Sequence, residues 1–201
     1  MTLPRMAAST ADSIRAFIAI AVEPALAGEV KKVQQRLTSP GGVVRWINPD
    51  HLHLTLQFLG NVAAGRLDDL AAALRRACAR TAPFHLALEG AGCFPNTKSP
   101  RVVWIGIRGD LEPLRKLQEQ IAQETKNFGD HGDDERAFQP HLTIGRVKAS
   151  GVEGRRAGQA IELVTVPKLG NWTVHHVLLV QSELSPDGAR YTTLAAVALD
   201  H

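Results

Sequence analysis

An α+β fold, with mainly antiparallel strands flanked by helices, is what the sequence predicts, and three observations lead there. Short runs of strand character outnumber amphipathic helical stretches, and the helices do not alternate with them regularly enough for a doubly wound parallel sheet. The last two runs, Val174 to Leu184 and Tyr191 to Leu199, are joined through Ser185, Pro186, Asp187 and Gly188 and read as a hairpin. The order strand, helix, HxT-bearing strand occurs once before residue 60 and again before residue 148, which suggests two similar lobes with a cleft between them.

The first strand is expected at 15–22, RAFIAIAV, a short apolar run that Pro24 ends. From Ala25 to Leu37, Leu26, Val30, Val33 and Leu37 recur at three- and four-residue spacing, with Lys31, Lys32, Gln34, Gln35 and Arg36 on the other face. Pro40, Gly41 and Gly42 stop this helix. Val43 to Ile47 is extended, and Asn48 and Pro49 turn the chain into the strand HLHLTLQFLG at 51–60. Leu67, Leu70, Leu74 and Cys78 mark a second helix. Strands follow at Phe84 to Glu89 and Val102 to Ile107. Asp110 is placed to N-cap a third helix with Leu114, Leu117, Ile121 and Phe128 on one face and Gly129 as its stop. The polar segment 129–136 leads into a strand at 138–147, and after a Gly- and Arg-rich turn another strand is expected at Ile161 to Val166.

At 201 residues the chain is long enough to bury roughly 70% of its unfolded surface. Its 44% hydrophobic and 21% charged residues are ordinary for a globular domain, which excludes wholesale disorder. Residues 1–14 read as a flexible N-terminal extension and 15–201 as a single two-lobed domain. No signal-peptide core or membrane span is visible, and Cys78 and Cys93 lack CxxC spacing, so a soluble protein of the reducing cytoplasm is expected. A net charge of +3 and a pI of about 9.1 favour a polyanionic partner without requiring one.

The chemistry is expected in the two HLT tripeptides. Strand side chains alternate with period two, so His53, Thr55 and Gln57 point one way and Leu52, Leu54 and Leu56 the other. PHLTIGR repeats the arrangement, with His141 and Thr143 on one face and Leu142 and Ile144 on the other. Phosphodiester hydrolysis takes one proton from water and gives one to the departing oxygen. Two imidazoles with ordinary pKa values near 6.5 can divide that work at neutral pH. The threonine hydroxyls can donate to the non-bridging phosphate oxygens.

These residues carry a family resemblance that spans nearly everything after residue 14. RAFIAI at 15–20, RWINPDHLHLTLQFLG at 45–60, FHLALEGAGCFPN at 84–96, RVVWIGI at 101–107, FQPHLTIGRV at 138–147 and SELSPDGARYTTL at 182–194 resemble the 2H phosphoesterases. Within them the chain is similar to the RNA 2′,3′-cyclic phosphodiesterases, formerly called 2′-5′ RNA ligases. The resemblance implies a two-lobed 2H phosphoesterase-like fold and metal-independent hydrolysis of RNA 2′,3′-cyclic phosphates to 2′-phosphomonoesters, without a cofactor. It implies His53 as proton donor to the leaving 3′ oxygen, His141 as the acceptor that activates water, and Thr55, Thr143 and Arg146 as substrate-binding residues. The implied partner is RNA or a nucleotide with a cyclic phosphate; the protein is expected as a monomer without an obligate protein partner.

On simple alternation Arg146 falls on the opposite face from His141 unless Gly145 permits a bulge, so phosphate contact and structural pairing both stay open for it. Tyr191 has two readings, stacking on a base or covering the core. Gln57 stands where lysine is common among relatives, and the acidic segment Asp130, Asp133, Asp134 and Glu135 precedes the second motif. A metal hydrolase built on His51 and His53 is disfavoured, since no HExxH or Cys cluster exists. A noncatalytic RNA-binding module would have to rest on an aromatic content of only 5%. RNA ligation stays open as the reverse reaction. His175 and His176, neighbours on one strand, point to opposite faces and are not assigned to the site.

Overall fold

A computed structural model describes residues 13–37, 42–130, 137–185 and 188–200. Nine strands form one antiparallel sheet. They are β1 (Ser13–Ala21), β2 (Val44–Trp46), β3 (His53–Ala63), β4 (Phe84–Phe94), β5 (Val102–Gly109), β6 (His141–Val147), β7 (Gly170–Val174), β8 (His176–Ser185) and β9 (Gly188–Ala198). The order is β7-β4-β5-β6-β3-β1-β8-β9, with β2 pairing beside β6. Among the described residues four α-helices accompany it: α1 (Ala27–Leu37), α2 (Leu67–Cys78), α3 (Leu111–Thr125) and α4 (Gly151–Leu163). The expected α+β, mainly antiparallel architecture is therefore present. The N-terminal segment 1–12 lies outside the described residues.

The main core takes Ile18 and Ile20 from β1, Leu54 and Leu56 from β3, Ile105 and Ile107 from β5 and Leu142 and Ile144 from β6. The helices cover it with the faces their periodicity announced: Val30, Val33 and Leu37 of α1, Leu70, Leu74 and Cys78 of α2, Leu114, Leu117 and Ile121 of α3. A small second cluster, Phe17, Ala19 and Val180 with Leu178 and Tyr191 against it, lies on the other face of the sheet. β1 is buried on both faces, which is why it reads as an unbroken apolar run rather than an alternating one.

The structure corrects four expectations. Residues 151–163 form a helix, where a turn and the start of a strand at 161–166 were expected. Its buried stripe is Gly154, Ala157, Gly158 and Ile161, a helical spacing that carries almost no hydrophobic signal. Its glycines serve close approach: a Cβ on Gly158 would collide with the Thr97 carbonyl oxygen. A short strand, β7, precedes His175, and the expected single run from Val174 to Leu184 is broken there. β4 continues to Phe94, past the expected end at Glu89, because a bulge with Gly90 at φ +76° carries the pairing with β5 onward. Asp110 holds the N-cap position of α3 as expected, but its carboxylate caps no helix amide; it accepts from the His85 amide at 2.9 Å and ties the helix entrance to β4.

The Gly158→Ala variant is expected to lose about 2 kcal/mol or more of stability through displacement of α4. Gly28→Ala, whose added methyl meets nothing within 4 Å, is expected to gain up to about 1 kcal/mol. Urea denaturation of both variants checks the contrast.

Candidate active site

The two HLT tripeptides meet edge to edge. β3 and β6 pair antiparallel through Leu54 and Leu142, the middle residues of the two motifs, and both leucines are fully buried. Alternation then puts His53, Thr55, His141 and Thr143 on the opposite face, all half-buried. The residues across from them are small where it matters: Ala21 opposite His53, Ala19 opposite Thr55 and Gly106 opposite His141.

The two imidazoles are held alike. His53 Nδ1 lies 3.0 Å from the His51 carbonyl oxygen, and His141 Nδ1 lies 2.7 Å from that of Gln139. A carbonyl only accepts, so Nδ1 carries the hydrogen and donates it, and Nε2 is left as the reactive nitrogen in both rings. The neutral ring accepts a proton there; the charged ring donates one. Aromatic rings fix both orientations: Phe17 and Tyr191 lie 4.7 and 5.2 Å from His53, and Phe94 stands edge-on 4.9 Å from His141. Phe94 in turn packs on Trp104, for which Gly92 makes room.

Each motif is followed by a bulge. Along β6 the register with β5 shifts so that Trp104 faces Thr143 but Val103 faces Gly145, which leaves Ile144 as the extra residue. Ile144 and Gly145 are both buried, and Arg146, opposite Val102, returns to the exposed face that carries His141 and Thr143. Without this bulge simple alternation would turn Arg146 to the opposite face. Along β3 the extra residue is Leu56, so Gln57 falls opposite the fully buried Ile18 and Phe58 falls opposite Phe17. The expected grouping of Gln57 with His53 and Thr55 is thus corrected: Phe58, 60% exposed, takes that face.

Tyr191 touches His53, Phe17 and His51, so it walls the site rather than covering the main core. Phe17 and Phe94 complete those walls, and sequence reasoning missed both as site residues. The signal available was their place within the strands RAFIAI and GAGCFPN. Asp130 accepts from the Asn61 amide and side chain at the far end of β3; Asp133, Asp134 and Glu135 lie outside the described residues. His175 and His176 line a separate cavity of about 360 Å³ with Glu23 and Trp172. No group of three or more potential metal ligands is assembled among the described residues.

Burial lowers the pKa of His53 below its ordinary 6.5; the hydrogen bond to the His51 carbonyl opposes this and the charge of the His51 ring adds to it. The thiols are remote from this chemistry. Burial, with Asp200 nearby, pushes Cys78 up to about 12, and burial also raises Cys93, so both stay protonated and unreactive.

The family model described as the 2′-5′ RNA ligase superfamily matches residues 22–185, a span that contains both HLT tripeptides. An RNA 2′,3′-cyclic phosphodiesterase of Methanothermobacter thermautotrophicus is 35% identical over 92% of this chain and 99% of its own length. A protein of the same name from Archaeoglobus fulgidus is 34% identical over 90% of this chain and 98% of its own. Among solved structures, a Thermus thermophilus protein superposes with a TM-score of 0.75 at 29% identity, covering 92% of this chain and 98% of that one. E. coli LigT complexed with 3′-AMP gives a TM-score of 0.73 at 27% identity, covering 94% and 100%.

Titration of the His53 ring by NMR is expected to give a midpoint below 6.5, with the neutral ring protonated at Nδ1. A midpoint at or above 6.5 would show that burial does not govern this histidine.

Proposed function

The chain belongs to the 2′-5′ RNA ligase superfamily, and from that membership we propose that it hydrolyses RNA 2′,3′-cyclic phosphates to 2′-phosphomonoesters. The observation that carries this reading is the matched pair of imidazoles on adjoining strands, each holding its Nδ1 hydrogen on a backbone carbonyl and presenting Nε2 to one face. Such a pair suits a reaction in which one proton leaves water and another reaches the departing oxygen.

His53, charged, donates from Nε2 to the 3′ oxygen as its bond to phosphorus breaks. His141, neutral, accepts at Nε2 the proton of the water that forms the new bond. Thr55 and Thr143 donate hydrogen bonds to the non-bridging oxygens, and Arg146, returned to this face by its bulge, pairs with the phosphate charge. The division of roles between the histidines follows the family resemblance; their geometry is symmetric. Burial favours the neutral form of His53, against its role as donor. The anionic phosphate offsets this, since an opposite charge within about 4–6 Å favours the imidazolium. The proposed substrate is an RNA or nucleotide end, acted on in the cytoplasm by a monomer. Ligation is the same chemistry run in reverse.

The test is turnover, in excess chelator, of an RNA oligomer ending in a 2′,3′-cyclic phosphate. His53→Ala and His141→Ala are each expected to lower kcat by about a hundredfold to ten-thousandfold, with a 2′-phosphate as the product of the natural protein. Loss of turnover on chelation would replace this reading with a metal hydrolase. Retained RNA affinity without turnover would replace it with a binding module.

The pH profile is a second check. kcat/KM is expected to follow a bell-shaped profile, because one histidine must be charged and the other neutral. The depressed pKa of His53 draws the optimum towards acid. A profile flat from about pH 5 to 9 would contradict two-histidine catalysis.

A further inference from the structure

β2 lies outside the main strand order and pairs with β6 at Gly145–Val147, beyond the point where β6 pairs with β3 through Leu142. Its register is Val44 to Val147, Arg45 to Arg146 and Trp46 to Gly145. Cross-strand partners share a face, so Arg45 stands on the face that holds His141, Thr143 and Arg146. Val44 and Trp46 turn the other way and pack against the main core.

This short strand is fastened by β6 on one side and by α1 on another. The Ile47 amide donates to the Ile144 carbonyl at 3.0 Å, and the Lys148 amide donates to the Val43 carbonyl at 2.8 Å. Gln34 of α1, buried apart from 6% of its surface, donates through Nε2 to the Ile47 and Ile144 carbonyls at 2.7 and 3.0 Å. The β6 bulge at Ile144 is held by the same bonds. Arg45 therefore sits on a fixed piece of backbone.

We propose that Arg45 is a specificity-determining residue that binds the phosphate preceding the terminal, cyclic one, so that the site favours an RNA chain over a cyclic mononucleotide. The inference rests on the reading of the site as a cyclic phosphodiesterase and assigns it a substrate length. Arg146 stands three residues along β6 from Thr143, less than about 10 Å once the bulge shortens the path. Its long side chain reaches back to the phosphate gripped by the threonines. Arg45 lies one strand further out, about 5 Å across the pair. That offset places a second guanidinium beside the next phosphate of a chain leaving over the β6–β2 edge, where charge-assisted, bidentate hydrogen bonds hold it. The two arginines have separate tasks: Arg146 serves any cyclic phosphate, and Arg45 serves only substrates with a second one.

The experiment compares kcat/KM on 2′,3′-cyclic AMP with that on an RNA oligomer ending in a 2′,3′-cyclic phosphate, for the natural protein, Arg45→Ala, Arg45→Lys and Arg146→Ala. Arg45→Ala is expected to reduce the oligomer-over-mononucleotide preference at least about tenfold, mainly through KM, with Arg45→Lys in between. It is also expected to flatten the salt dependence of the oligomer by roughly 0.7 in logarithmic slope, as for one lost contact to a single strand. Arg146→Ala is expected to lower both substrates together and leave the preference in place. An equal loss on both substrates in Arg45→Ala, or no loss on either, would overturn the inference. Binding of a 2′-phosphorylated oligomer and of 2′-AMP is measured alongside. If the natural protein turns over neither substrate, the phosphodiesterase reading fails, and the loss of oligomer preference in binding still decides the role of Arg45.

Discussion

The pairing of β3 with β6 through Leu54 and Leu142 is the constraint on which the site depends. Both leucines are withdrawn completely from water, a burial worth about 1.5–3 kcal/mol for each side chain. Strand alternation then dictates the opposite face. With the leucines committed to the core, a histidine and a threonine from each strand must face away from it, and the antiparallel seam sets the two pairs side by side. A one-residue slip of either strand would bury two polar side chains and expose a leucine, so core packing and site geometry are one requirement.

Around that seam the two halves of the sheet repeat one device. β1 flanks β3 and β5 flanks β6, and each HLT runs straight into a bulge that brings the fifth residue after its histidine back to the functional face. The repeat is not carried into the side chains. One half presents Phe58 at that position and backs its histidine with Phe17 and Tyr191; the other presents Arg146 and backs its histidine with Phe94 on Trp104. An approximately repeated backbone thus surrounds two equivalent imidazoles with an aromatic flank on one side and a cationic flank on the other. Phosphate chemistry needs two proton carriers held alike, one charged and one neutral; recognition of a polar, directional chain needs unequal surroundings.

Much of this was legible in the sequence because its signals were periodic. Leu26, Val30, Val33 and Leu37, and the alternating HLTL at 53–56, state their structure by spacing alone, and their apolar residues are buried as expected, although the strand begins at His53 and not at His51, which closes a 3-10 turn. The helix α4 was not legible because glycine and alanine make its buried stripe, and the value of those glycines lies in the nearness of Thr97, a contact distant in sequence. The bulges were not legible either. Gly145 allows a bulge in TIGR without requiring one, nothing local distinguishes TLQF from regular strand, and the offsets arise from pairing with β5 and β1. Spacing alone therefore groups Gln57 with the histidines and leaves Arg146 open, and Phe17, Phe94 and Tyr191 become site walls only once the strands are assembled.

The central claim is that two strands joined at Leu54 and Leu142 form one phosphate site served by Nε2 of both histidines. A crystal structure of the protein with a bound nucleoside 2′-phosphate tests it most directly. A single phosphate is expected within hydrogen-bond distance of Nε2 of His53 and His141 and of the hydroxyls of Thr55 and Thr143, with both Nδ1 atoms still on their carbonyls. A phosphate held by one HLT tripeptide alone, or an imidazole turned to meet it through Nδ1, would contradict it.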